Sequence, residues 1–176
     1  MKQDFKTMYG VDVYRYGGKS PKWGSKKLTY FLRKAQATTN SLLCKYYRLM
    51  FCLATRRKGI EISCDTQIGK GLYIGHPYGI TINPAAVIGE NVNIHKGVTI
   101  GRENRGKRKG APTIGNMVWI GVNATVVGSV TIGNDVLIAP NSYVNCDVPD
   151  HSIVFGNPCV IKHRENATEG YINHTV

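Results

Sequence analysis

From Ile62 onward an aliphatic residue returns every six positions, and no other feature constrains the fold of this chain as tightly. Ile62, Ile68 and Ile74 form one run, Ile82, Ile88, Ile94 and Ile100 a second, and Ile114, Ile120, Val126, Ile132, Ile138 and Val144 a third. Glycine often follows directly, as at Gly69, Gly89 and Gly115, and a small or β-branched residue often stands two places before, as at Val98, Ala124 and Ser142. A six-residue period fits neither a helix nor a plain alternating strand. It is the signature of an all-β fold, a parallel β-helix of hexapeptide repeats. Three hexapeptides close one triangular coil, so each Ile or Val points inward at a strand centre. Stacked coils then bury an aliphatic ladder that no coil could bury alone.

The repeat divides the chain into a basic helical segment (1–58), the β-helix (59–158) and a polar tail (159–176) expected to pack back across the coils. Residues 25–37 and 40–57 read as helices, the second with an apolar stripe of Leu42, Leu43, Tyr46, Met50, Leu53 and Ala54 at helical spacing. That stripe is expected to pack on the first coil or on a partner subunit. Residues 1–24, with turn signals at Gly17-Gly18 and Ser20-Pro21, read as short helical or irregular structure. Charge follows the same division. Residues 1–58 hold 14 Lys and Arg against Asp4 and Asp12, a net +12, whereas residues 59–176 are balanced at nine and nine. A solvated basic face explains the excess, as does peripheral contact with an anionic membrane. Nucleic acid is not expected, because no zinc-finger, RNA-recognition or helix-turn-helix pattern occurs. No apolar run is long enough to span a bilayer, and five cysteines without CxxC spacing point to reduced thiols in a cytoplasmic protein.

The period fails twice. Ile74 to Ile82 is eight residues instead of six, the excess falling on GHPYGI, and Ile100 to Ile114 is fourteen. A stacked ladder admits extra residues only at its corners, so these are the places to look for function. The first holds His76, an imidazole able to serve as a general base if a carboxylate or carbonyl sets its tautomer. Glu61 lies fifteen residues earlier, nearly one coil below. His95 follows nineteen residues after His76, and no third histidine precedes His151, so no metal site is expected. The second break projects a loop with Arg102, Arg105, Lys107, Arg108 and Lys109, a cluster suited to phosphate or carboxylate groups.

On these residues the chain resembles the hexapeptide-repeat acyltransferases, and specifically the serine acetyltransferase group. Glu61-Ile62-Ser63-Cys64, Ile68-Gly69-Lys70-Gly71 and His76-Pro77-Tyr78-Gly79 are similar to the family's Asp-Ile-His-Pro, Ile-Gly-x-Gly and His-x-x-Gly. PTIGNMVWIGVNATVVG and FGNPCVIK resemble its later coils and closing turn. The resemblance implies a left-handed β-helix, a homotrimer and acetyl-CoA as acyl donor. It also implies His76 as base and Glu61 as its orienting acid. Donor contacts are implied at Gly101, Arg102, Gly121, Val122 and Pro140, with Lys162 near the far end.

The chain also departs from the family. Where the family reads Arg-His-Pro-Lys-Ile after the loop, with a serine-binding histidine, this chain reads Gly110-Ala111-Pro112-Thr113-Ile114. The family's Asp-His pair is Gly75-His76, and its Gly-Gly-Thr-Gly loop opening is Gly101-Arg102-Glu103-Asn104. Losing two groups that hold an amino acid points away from serine. The expected acceptor is therefore a sugar or lipid-linked oligosaccharide, as in members of capsule and exopolysaccharide clusters. Serine O-acetylation for cysteine synthesis is the alternative within the enzyme class. A non-catalytic scaffold in a polysaccharide assembly complex is the alternative outside it.

Overall fold

The computed structural model describes residues 4–17 and 25–176. The turn expected at Ser20-Pro21, and Gly18 of the earlier one, lie outside them. Among the described residues three helices precede the β-region: α1 (Phe5–Tyr14), α2 (Ser25–Ala37) and α3 (Ser41–Arg56). Asp4 caps α1 by accepting from the Thr7 N–H at 3.0 Å, and Asn40 caps α3 through the N–H groups of Leu42 and Leu43. Each side chain satisfies donors that the first helical turn leaves free.

Five coils follow. The first holds β1 (Glu61–Ile62), β2 (Gln67–Ile68) and β3 (Tyr73–Gly75), and the second holds β4 (Thr81–Ile82), β5 (Val87–Ile88) and β6 (Asn93–His95). The third holds β7 (Thr99–Gly101), β8 (Thr113–Ile114) and β9 (Val118–Ile120), and the fourth holds β10 (Thr125–Val127), β11 (Thr131–Ile132) and β12 (Val136–Ile138). The fifth holds β13 (Tyr143–Val144) and β14 (Ser152–Phe155), with Val148 bridging to Ile132 between them. Finally β15 (Val160–His163) turns back antiparallel on β14.

The coils stack into three sheets. Sheet A orders β1-β4-β7-β10-β13, sheet B β2-β5-β8-β11, and sheet C β3-β6-β9-β12-β14-β15. Within sheet A the register pairs Ile62 with Ile82, Ile82 with Ile100, Ile100 with Val126 and Val126 with Val144. The same holds for Ile74, Ile94, Ile120, Ile138 and Val154 in sheet C. This is the ladder that the six-residue period predicts. Ile94, Ile100, Ile120, Ile132 and Ile138 are fully buried, and each such side chain contributes about 1.5–3 kcal/mol of transfer free energy.

The helices close the base of the prism. Leu28, Leu32 and Ala35 of α2 and Phe51 of α3 join the core of the first coil. A buried ion pair fixes them there. Arg33 meets Asp12 at 2.8 Å with both side chains almost wholly inaccessible, and it also donates to the carbonyls of Ile68 and Gly69. Asp12 in turn accepts from the Leu72 N–H at 2.9 Å. Every partner is satisfied, so removing one side of this pair strands the other at a cost of about 3–5 kcal/mol. On this chain Phe51 and Thr55 of α3 face inward, Met50 and Ala54 of the expected stripe are half-buried, and its Leu42, Leu43, Tyr46 and Leu53 are exposed. Among the described residues no helix is long and apolar enough to cross a membrane.

The tail lies along the outer face of sheet C. The Asp135 carboxylate accepts from the N–H groups of Ala167 and Thr168 and from the Thr168 hydroxyl. Asn93 donates to the Tyr171 carbonyl, Arg15 to the Asn173 carbonyl and Asn91 to the Val176 carbonyl. The last thirteen residues thus reach from the fourth coil back to the second.

Candidate active site

The eight-residue interval builds the turn that carries His76. Where sheet C passes to sheet A, the successive coils place Gly79, Gly97, Asn123 and Asn141 in the left-handed region. The first coil has one left-handed residue more, His76 at φ 55°, whose carbonyl accepts from the Tyr78 N–H at 2.8 Å. A non-glycine residue there is strained and projects away from the regular ladder. His76 is exposed while Pro77 is buried, so the ring stands out from an anchored turn.

Around His76 is a cavity of about 270 Å³ lined by Tyr16, Ser25, Tyr73, Ile74, Gly75, His76 and His95. Four chain segments meet in it. The Tyr16 hydroxyl accepts from the Ile74 N–H at 2.8 Å, and Ser25 donates to the Ile74 carbonyl at 3.0 Å. Tyr16 stacks on Tyr73 with ring centroids 4.4 Å apart. Burial raises the Tyr16 phenol above its ordinary range, so it remains a neutral hydroxyl. Tyr16, Ser25 and Tyr73 escape sequence reasoning because nothing in the hexapeptide pattern identifies what covers an outward face.

Glu61 is exposed on the outer side of sheet A, beside Ser63, Thr81 and Asn83. Its N–H donates to the Ile80 carbonyl at 2.8 Å, and Thr81 stacks on it in register. It therefore lies directly beneath the end of the turn that bears His76, although the two residues line different cavities.

The residues expected to hold the donor divide between two edges. Gly121, Val122 and Pro140 lie on the edge that carries His76, where the Gly121 N–H donates to the Ile138 carbonyl and the Asn141 N–H to the Val122 carbonyl. Gly101 and Arg102 lie on the next edge, at the root of the projecting loop. That loop is a hairpin closed by the Glu103–Gly110 bridge and an Arg108–Glu103 ion pair at 3.3 Å. Arg102, Arg105, Lys107 and Lys109 are exposed on it, a donor set that fits phosphate groups. Lys162 stands at the far end of the prism, its ammonium 5.6 Å from the Phe155 ring centroid. Among the described residues no cluster of three or more metal-ligating side chains occurs.

The two departures that pointed away from serine fall at Gly75 and Ala111, and the first has a local steric cause. A Cβ at position 75 would lie 2.6 Å from His95 Nδ1, so glycine there reflects the ring above it. Ala111, the second departure, is half-buried and packs against the core cluster.

Residues 111–146 match the family described as bacterial transferase hexapeptide (six repeats). The serine acetyltransferase of Helicobacter pylori is 38% identical over 133 residues, spanning 67% of this chain and 77% of that enzyme. Among solved structures, soybean serine acetyltransferase aligns at a TM-score of 0.74 and 25% identity over 90% of this chain and 69% of that one. Serine acetyltransferase isoform 3 of Entamoeba histolytica, solved with cysteine, aligns at 0.70 and 26% over 92% and 60%. These likenesses overturn the expectation of a sugar or oligosaccharide acceptor in a polysaccharide pathway. With the fold, the repeat and these relatives in agreement, the chain belongs to the serine acetyltransferase family of hexapeptide-repeat acyltransferases.

Proposed function

We propose that the chain transfers the acetyl group of acetyl-CoA to the hydroxyl of L-serine. The observation that carries this reading is the 38% identity to a serine acetyltransferase of which the chain covers 77%. His76, exposed on its strained turn, takes the hydroxyl proton as the serine oxygen attacks the thioester carbonyl. Glu61, beneath that turn, holds the tautomer and stabilises the imidazolium. The developing oxyanion is held by a backbone N–H or a loop cation. The imidazolium then returns its proton to the departing CoA sulfur, leaving O-acetylserine, free thiol and neutral His76. The loop cations, with Gly101, Arg102, Gly121, Val122, Pro140 and Lys162, bind the donor's phosphates and amide arm. Thiol release measured with L-serine and with a panel of sugars tests the reading. Release with L-serine alone is expected, and release with a sugar alone rejects it.

The reading includes a homotrimer. Gly121, Val122 and Pro140 stand on one edge of the prism and Gly101 and Arg102 on the next, an arrangement that supports a donor lying between adjoining subunits. Analytical ultracentrifugation is expected to give one species at three times the chain mass of 19.4 kDa. A fully active monomer would contradict it.

A further inference from the structure

Along the edge of sheet C next to the His76 turn, the register places Gly75 under His95 and Gly121 over it. Farther up, the row continues with Ala139 and Phe155, so His95 is the side chain with glycine on both sides. Its ring lies over Gly75, with Nδ1 and Cε1 2.6 and 2.7 Å from where a Cβ would stand. It packs against Trp119, centroids 4.8 Å apart, and beside Tyr73 at 6.3 Å. Two cavities share it as a wall: the 270 Å³ one containing His76, and one of about 310 Å³ running toward Trp119, Tyr171 and His174.

Its hydrogen-bonding capacity is unspent. Nε2 is buried with no partner among the described residues, a state that is expensive unless something else satisfies the ring. Burial, and then the charge of His76, hold the His95 pKa below the ordinary histidine value, so the ring is neutral near pH 7 and keeps a lone pair. Among the described residues, the lining of the cavity beside His76 contains no carboxylate. The Ile74 carbonyl is already occupied by Tyr16 and Ser25, and His76 is reserved for the hydroxyl. An amino-acid acceptor must still place its ammonium group.

We propose that His95 is an acceptor-binding residue whose imidazole, lying over Gly75 beside His76, accepts a hydrogen bond from the α-ammonium of the amino-acid acceptor. The proposal rests on the serine reading above. It predicts that recognition of the acceptor's nitrogen is separable from the chemistry at its hydroxyl.

Steady-state kinetics with L-serine and with 3-hydroxypropanoate, which keeps the hydroxyl and carboxylate but lacks the ammonium, tests it. His95→Phe keeps an aromatic ring between Tyr73 and Trp119. It is expected to raise the KM for L-serine at least tenfold, to leave the KM for acetyl-CoA within twofold, and to narrow the preference for L-serine over 3-hydroxypropanoate. His95→Gln, which restores a polar atom, is expected to recover part of the loss. An unchanged KM for L-serine overturns the proposal, as does an equal loss on both acceptors. Wild-type protein that acetylates no L-serine sinks the serine reading itself, before any substitution is made, and the proposal with it.

Discussion

At position 75 the backbone leaves no room for a side chain, because the ring of the residue one coil above already fills the space. The pairing of Gly75 with His95 shows how one residue's identity in a stacked fold is set by its neighbour in the next coil. Even a methyl group there would have to displace His95 from its packing against Trp119. Gly75→Ala should therefore cost about 1–3 kcal/mol of stability, the range for overpacking. Urea unfolding of Gly75→Ala, His95→Ala and the double variant measures it. The double variant should be more stable than the sum of the two single effects predicts, because the clash disappears with the ring. Strict additivity would show that the two positions do not compete for one space.

Among the elements, the inward half of the molecule was legible in the sequence and the outward half was not. The six-residue period names Ile74, Ile94, Ile120 and Ile138 as one ladder, and they form it, because burial at a fixed interval leaves its mark in composition. The helices at 25–37 and 40–57 were legible for the same reason. The packed side of α3 was not. Its apolar residues cover more than one face, and periodicity alone does not say which face meets α2 and the first coil. Phe51 faces inward, while Leu42 and Leu49 do not. The lining of the His76 cavity was illegible for a related reason. Tyr16, Ser25 and Tyr73 lie up to 57 residues apart in sequence, and they meet only because α1 and α2 fold back onto the first coil through Asp12, Arg15 and Arg33. The two interruptions of the period, by contrast, led directly to the turn of His76 and to the basic loop.

For the whole molecule, the prism is a rigid frame whose corners carry the chemistry. Its interior ladder accepts no insertions, so His76 and the loop project from two different edges, and the reaction proposed here joins such edges between subunits. The acceptor shows how local absences mislead: Gly75 and Ala111 suggested a lost amino-acid site, and the likeness to serine acetyltransferases overturns that expectation. The central claim is that His76 is the base in acetyl transfer to serine. The most direct measurement is the turnover number of His76→Ala with acetyl-CoA and L-serine, on protein with wild-type circular dichroism and sedimentation. Turnover is predicted to fall at least about a hundredfold, the loss that general-base removal brings; turnover equal to that of the wild type would contradict the account.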